Sequence, residues 1–324
     1  VTRLRVAVIG GGRNSEHDVS LASAASVAGA LDPSRYVAVP FTIDRAGGWQ
    51  DATGRALSFS EAIDLLQQTD VVMPLVHGKH GEDGALAALC ELAGVPYVGS
   101  GVGAGAIGMD KSVTKLLAGA AGIPTAAGVV VDRTNAHAYR FRGPVVVKPV
   151  SGGSSVGVTL VTSADALPAA VDAALAEGDR VLIEERLVGR EIDLAVLRRS
   201  DGSLIVSPPL EIDVDGPFDH EAKYGGSAPF LVPAALGADE RWELETAAMR
   251  MYDALDCAGV ARIDFFLTTT GLVLNEVNTT PGLTARSQVP RMFDAGGIRY
   301  PELLDLLITD ALASRPRIAQ HARG

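Results

Sequence analysis

Ala261-Arg262-Ile263-Asp264-Phe265-Phe266 and Leu274-Asn275-Glu276-Val277-Asn278 are two short runs of strong β-formers with polar residues at alternate positions. A strand has a side-chain period of two, so Arg262 and Asp264 share one face of the first run, as Glu276 and Asn278 do of the second. Phe265, Phe266 and Val277 are expected to pack on the opposite face. Three hard oxygen donors on adjacent strands, Asp264, Glu276 and Asn278, suit Mg²⁺, which takes a few protein oxygens and completes its shell with water and phosphate. A polar, exposed sheet face is the plainer alternative. Asn278 leads directly into Thr279-Thr280-Pro281-Gly282, which favours the metal reading.

Upstream, Val145-Val146-Val147-Lys148-Pro149 enters a Gly/Ser turn, Ser151-Gly152-Gly153-Ser154-Ser155-Val156-Gly157, and a second strand is expected over Val156–Val161. Backbone N–H groups in such a loop can cradle phosphate oxygens, with Lys148 adding charge at its base. It is not a Walker A loop, because no Lys-Ser or Lys-Thr follows the glycines and no helix begins there.

Outward again, Leu4–Ile9 reads as a buried strand ending at Gly10-Gly11-Gly12, without the spacing of a dinucleotide site. Glu16 precedes a helical pattern through Leu31 and can either cap that helix or bind an amine. Val71–Val76 reads as a second strand, and His77-Gly78-Lys79-His80-Gly81-Glu82-Asp83-Gly84 at its end lies where α/β proteins place ligands. Zinc on His77, His80 and Glu82 is the less favoured reading of this glycine-rich loop. Helices are expected over Asp83–Ala93, Asp110–Ala121 (with Lys111 and Lys115), Ala164–Glu177, Glu240–Leu255 and from Pro301, and strands over Tyr97–Val98, Arg180–Glu184, Glu191–Val196 and Leu204–Ile212. Alternating strands and helices in the first hundred residues imply right-handed crossovers and a largely parallel sheet. Phe218–Gly226 has the polar, glycine-flanked character of a mobile loop, in which Lys223 and Tyr224 can close over an anionic intermediate.

Composition narrows the class. The chain has 324 residues, 47% hydrophobic and 21% charged, enough for two or three packed domains. A net charge of −11 argues against a nucleic-acid surface. No apolar run approaches the ~20 residues of a membrane span. Cys90 and Cys257 are too few and too distant for a zinc site or a disulfide framework. They read as buried thiols of a reducing cytoplasm, and Val1–Gly12 reads as a strand rather than a signal peptide.

These motifs, in this order, resemble the D-alanine–D-alanine ligases of the ATP-grasp superfamily, from Val6 to about Ala313. The resemblance is carried by Glu-His-Asp-Val-Ser at 16–20, the His77–Gly84 segment, Met-Asp-Lys at 109–111 and Val-Lys-Pro with Gly-Ser-Ser-Val-Gly at 147–157. It continues with Glu-Ala-Lys-Tyr at 221–224, Ala-Arg-Ile-Asp-Phe-Phe at 261–266 and Asn-Glu-Val-Asn-Thr-Thr-Pro-Gly at 275–282. It implies a three-domain α/β ATP-grasp fold, divided at residues 1–107, 108–184 and 185–324, with ATP between the central and C-terminal domains. It also implies peptidoglycan precursor synthesis through an acylphosphate and a homodimer.

The residue roles it implies are specific. Asp264, Glu276 and Asn278 hold two Mg²⁺ ions, with Mn²⁺ as a substitute. Lys111, Lys148, Ser154, Ser155, Glu184, Leu187, Glu191, Lys223 and Asn275 bind ATP. Glu16 takes the first D-alanine's ammonium with His77 nearby, Ser287 the second substrate's carboxylate, and Arg262 with the Gly282 N–H the oxyanion. Glu16, Ser154 and Tyr224 form the set that closes the loop. Phe218-Asp219-His220, the short Gly225-Gly226-Ser227-Ala228 stretch and Gln288 depart from the usual pattern near the acceptor. A D-serine or other D-amino-acid acceptor, or a nucleotide-binding regulator without catalysis, are the competing readings.

Overall fold

The computed structural model describes residues 2–212 and 230–314. Lys223, Tyr224 and the rest of the expected Phe218–Gly226 loop lie outside the described residues.

β1 (Leu4–Gly11) is apolar on both faces, as a central parallel strand requires. After α1 (His17–Ala30) the chain forms β2 (Tyr36–Ile43), β3 (Trp49–Gln50), β4 (Ala56–Leu57), α2 (Phe59–Leu66) and β5 (Val71–Pro74). The sheet order is β4-β3-β2-β1-β5, with β1 parallel to β2 and β5 and the two short strands antiparallel at one edge. Tyr97 adds a single parallel bridge to Val72 rather than a strand. The carboxyl ends of β1 and β5 therefore deliver Glu16 and His77 to the same side of the sheet, where open α/β sheets bind ligands.

α3 (Ala85–Ala93), α4 (Val102–Met109) and α5 (Lys111–Ala120) lead into the second sheet. The Asp110 carboxylate caps α5 by accepting from the Ser112 and Val113 amides at 3.0 and 3.1 Å. That cap fixes Lys111 in the first turn and puts Lys115 one turn above it on the same face. β6 (Gly128–Asp132), β7 (Val145–Pro149), β8 (Thr159–Val161) and β9 (Arg180–Glu185) pair antiparallel in the order β6-β9-β7-β8. α6 (Leu167–Glu177) buries Ala170, Val171, Ala174 and Leu175 against Val145, Val147, Val181 and Ile183. The strand expected from Val156 starts only at Thr159, because the residues before it form the turn described below.

β10 (Gly189–Arg198), β11 (Leu204–Val206), β12 (Leu210–Ile212), β13 (Phe230–Leu231), β14 (Val260–Thr268) and β15 (Gly271–Asn278) make the third sheet. Its order is β13-β12-β10-β14-β15, with β11 also on β10. The single strand expected over Leu204–Ile212 is divided by Ser207-Pro208-Pro209, since proline cannot donate to the ladder. α7 (Ala238–Ala254) packs Leu244, Ala248, Met251 and Tyr252 on the side of this sheet that carries Ile192, Leu194, Ile263, Phe265 and Val277. Phe265 and Val277 are thus in the core as expected, whereas Phe266 is half-buried and outside it. After α8 (Gln288–Ala295), α9 (Tyr300–Ser314) returns to the first sheet. Leu303, Leu307 and Ile308 share a core with Val6, Val8 and Met73. No helix among the described residues is long and apolar enough to cross a membrane.

Candidate active site

The polar face of the third sheet is built rung by rung. Asp193 on β10 lies opposite Asp264 on β14, which lies opposite Glu276 on β15, and Arg262 lies opposite Asn278. Three carboxylates in one cross-strand row repel unless cations intervene. Arg262 supplies part of the compensation. Its Nε and Nη2 fork onto the two Asp264 oxygens at 2.7 Å each, and its Nε is 3.6 Å from Asp193. Burial opposes its charge, but Asp264 and Asp193 hold the guanidinium firmly protonated. Lys111 reaches Glu276 at 3.6 Å. The Asn278 Oδ1 is buried with no hydrogen-bond partner among the described residues. Opposed carboxylates beside an orphaned amide oxygen fit a hard divalent cation.

Between Asp264 and Phe265 the ladder shifts register: Glu276 opposes Asp264 while Leu274 opposes Phe265, leaving Asn275 as the extra residue of a bulge. The Asn275 Oδ1 accepts from the Lys148 Nζ at 3.3 Å. Lys148 also contacts Glu184, and the other Glu184 oxygen lies 2.8 Å from Lys115. Burial works against the Glu184 charge, but the two lysines outweigh it and hold the carboxyl below its ordinary range. For Lys115 burial wins, and its ammonium is held below the usual lysine range despite Glu184. Two buried cations sharing one carboxylate leave the cluster with surplus positive charge, suited to a polyanion.

The adjoining turn has the matching backbone. Ser154 and Ser155 both adopt left-handed φ, +51° and +56°. Consecutive non-glycine residues in this region are strained; the Val156 and Val158 amides donate to the Gly153 and Ser155 carbonyls at 3.2 Å each, and the rest of such a turn can serve as an anion nest. The Lys111 Nζ donates to the Gly152 carbonyl at 2.6 Å and fixes the turn against α5.

Glu16 is not the side-chain helix cap that the sequence allowed. It occupies the N-cap position of α1 yet caps nothing with its side chain. Instead its carboxylate accepts from the Ser154 hydroxyl at 2.5 Å, tying the first sheet to the turn that carries Ser154 and Ser155. A Cβ at Gly78 would lie 2.6 Å from the Glu16 Oε2, and one at Gly153 2.9 Å from it, so both glycines make room for this carboxylate. Burial lowers the His77 pKa, outweighing the nearby Glu16 charge, so the ring is neutral. Its Nδ1 donates to the Thr280 carbonyl at 2.9 Å, and its Nε2 accepts from the Ser23 hydroxyl at 3.0 Å. With both ring nitrogens engaged, His77 joins β5 to the loop after β15. His80 is exposed with φ +66°, and the described residues contain no group of three or more His, Cys, Asp or Glu placed to hold a metal ion, which removes the zinc reading.

All of this surrounds a cavity of about 660 Å³ lined by Glu16, His77, Lys111, Ser154, Arg262, Glu276, Asn278, Gly282 and Ser287. These expected residues are gathered at one place. Lys148, Glu184 and Asn275 form the adjoining cluster, and Asp264 sits behind Arg262. Ser155 belongs to the nest, while Leu187 and Glu191 lie toward the start of β10 and do not line the cavity. The Ser287 hydroxyl is tied into the turn by the Thr284 amide at 3.1 Å, at the N-terminus of α8.

Lys115, Asp193 and the contacts of Gln288 carry no role in the sequence reading, and Glu82 enters it only as a ligand in the less favoured zinc reading. Lys115 was signalled by its four-residue spacing from Lys111, and Asp193 by its strand period with Glu191. Glu82 lines the cavity, and burial, reinforced by Glu16, pushes its carboxyl up to about 8.

Two sheets flanking a buried lysine cluster beside a left-handed Ser-Ser turn are the arrangement of an ATP-grasp protein. Family profiles described as "D-ala D-ala ligase N-terminus" and "D-ala D-ala ligase C-terminus" match residues 5–100 and 117–309. A D-alanine–D-alanine ligase of Mycolicibacterium vanbaalenii is 42% identical, with 96% of this chain and 98% of that protein covered. Among solved structures, the VanG D-Ala:D-Ser ligase of Enterococcus faecalis is 33% identical with a TM-score of 0.85, covering 96% of this chain and all of that one. The D-alanine–D-alanine ligase of Bacillus anthracis complexed with ATP is 28% identical with a TM-score of 0.80, over 96% and 98% of the two chains. The chain belongs to the D-alanine–D-alanine ligase family.

Proposed function

We propose that this chain joins two D-alanines into D-alanyl-D-alanine, converting ATP to ADP and phosphate, for peptidoglycan precursor synthesis in the cytoplasm. The first D-alanine's ammonium pairs with Glu16, which Ser154 holds in place. Its carboxylate oxygen attacks the γ-phosphorus of ATP, ADP leaves, and an acylphosphate results. The second D-alanine, its carboxylate held at Ser287 and the α8 N-terminus, attacks the acyl carbon through its neutral amine. The oxyanion of the tetrahedral intermediate is met by Arg262 and the Gly282 N–H, and collapse expels phosphate, which carries off the proton lost by the attacking nitrogen, and leaves the amide.

Lys111, Lys148 and the 152–157 nest take the ATP phosphates, with Asn275 and Glu184 positioning Lys148. Leu187, with Glu184 at its side, extends the nucleotide site toward the adenine and Glu191 toward the ribose, while Ser155 stays with the phosphates and Lys223 completes the charge around the transferring group. Asp264, Glu276 and Asn278 would hold Mg²⁺, which when bound neutralises the phosphate charge during transfer. The three sheets support a division at residues 1–107, 108–184 and 185–324, and buried thiols at Cys90 and Cys257 agree with a reducing compartment.

The reading rests most on one cavity that is lined at once by Glu16, Arg262, Gly282 and Ser287, the last at the N-terminus of α8. Release of ADP, measured against D-alanine, D-serine, other D-amino acids and D-lactate as acceptors, tests the reading. Preference for D-alanine is expected; preference for any other acceptor refutes it. D-serine is the acceptor to set against D-alanine, given the likeness to a D-Ala:D-Ser ligase.

A further inference from the structure

Gln288 stands at the first position of α8 and lines the cavity. Its Oε1 accepts from the Arg262 Nη1 at 2.5 Å, and its Nε2 donates to the Asp193 Oδ2 at 2.8 Å. The orientation of the amide is fixed by its partners. A guanidinium can only donate and an ionised carboxylate can only accept, so a flipped amide would set N–H against N–H and oxygen against oxygen.

Asp193 is fully buried and lies opposite Asp264 across β10 and β14. Arg262 is held from two sides: its Nε and Nη2 edge by Asp264, its Nη1 end by Gln288, which Asp193 anchors from behind. A flexible arginine would otherwise lose much rotamer freedom on adopting one pose, and a second anchor removes that freedom before substrate arrives.

We infer that Gln288, backed by Asp193, is a positioning residue that holds the Arg262 guanidinium in the pose that meets the oxyanion. The inference rests on the oxyanion role proposed above for Arg262. The relay needs one amide and one carboxylate, and the two can be exchanged. After Gln288→Glu the side chain can still accept from Arg262, and Asp193→Asn then supplies the donor behind it, with the net charge conserved.

The test compares Gln288→Leu, Gln288→Glu and the double variant Asp193→Asn/Gln288→Glu, measuring kcat and the KM for ATP. Leucine removes both hydrogen bonds, and glutamate alone sets two carboxylates in contact. Each should lower kcat by about tenfold or more while the KM for ATP stays within about twofold, the latter showing an intact nucleotide site. The double variant should recover to within about threefold of the parent kcat, which a merely structural role for Gln288 does not predict. An unchanged kcat in Gln288→Leu, or a double variant no better than Gln288→Glu, overturns the inference. Arg262→Lys is assayed alongside. If it keeps the parent kcat, the oxyanion role itself falls; if it loses activity while Gln288→Leu does not, only the positioning inference falls.

Discussion

Replacing Glu184 by glutamine tests the charge design of the nucleotide site. Glu184 is 5% exposed and is the shared counter-charge of Lys148, equally buried, and of Lys115 at 2.8 Å. Glutamine keeps the shape and removes the charge, leaving two buried ammonium groups facing each other. Breaking a buried ion pair from one side costs about 3–5 kcal/mol. With an unfolding entropy of about 2.1 cal/mol/K per residue over 324 residues, that loss lowers Tm by about 4–7 °C if the chain unfolds as one unit. Lys115→Met is the contrast, because it leaves the Lys148–Glu184 pair balanced and should cost about 2 °C or less. The Glu184→Gln defect should also shrink as pH rises. A buried lysine whose folded pKa is depressed binds fewer protons than the unfolded chain, so stability rises with pH as that lysine is neutralised. Thermal unfolding of both variants without nucleotide, from about pH 7 to about pH 10, measures this. Equal losses in the two variants, or a Glu184→Gln loss that grows with pH, would refute the reasoning.

Asp264→Ala and Glu276→Ala should each lower kcat by about a thousandfold or more, read as ADP release across a Mg²⁺ titration. Turnover retained in either removes the metal assignment. Glu82 binds its proton more tightly in the fold, so between its ordinary value of 4.5 and about 8 the native state holds more protons than the unfolded chain. Stability must then fall as pH rises through that window, and Glu82→Gln should flatten the slope of Tm against pH. Parallel curves would contradict the raised Glu82 carboxyl. Gly78→Ala forces φ +74° on a residue with a Cβ and places that Cβ 2.6 Å from the Glu16 carboxylate. It should cost about 1–2 kcal/mol and raise the KM for D-alanine more than that for ATP; a larger effect on ATP would relocate Glu16.

The parts that the sequence made readable are those governed by short-range rules. Strand period put Asp264 and Arg262 on one face and Glu276 and Asn278 on another, and the sheet brings the two faces together. The nest was visible as a Gly/Ser turn, but its left-handed Ser154 and Ser155 were not, since nothing local demands φ above zero at serine. β2 is not legible in the sequence because Pro40 interrupts its apolar run. It is tolerated there because β3 pairs only with Thr42 and Ile43, leaving β2 without an outer partner at Pro40. The Asn275 bulge, the Asp193–Asp264–Glu276 row and the Gln288 relay depend on the register between strands and on where α8 begins. A single sequence does not encode those separations in any local pattern. Glu184 illustrates the same limit: its strand was legible, its place between two lysines was not.

The central claim is that a D-alanine carboxylate oxygen attacks the γ-phosphorus of ATP. It is tested most directly with D-alanine labelled with ¹⁸O in its carboxylate, unlabelled ATP and Mg²⁺, followed by mass spectrometry of the released products. Each dipeptide formed should transfer one ¹⁸O to inorganic phosphate, with ADP as the other product. Label appearing in AMP, or phosphate released without ¹⁸O while dipeptide accumulates, would contradict the acylphosphate account.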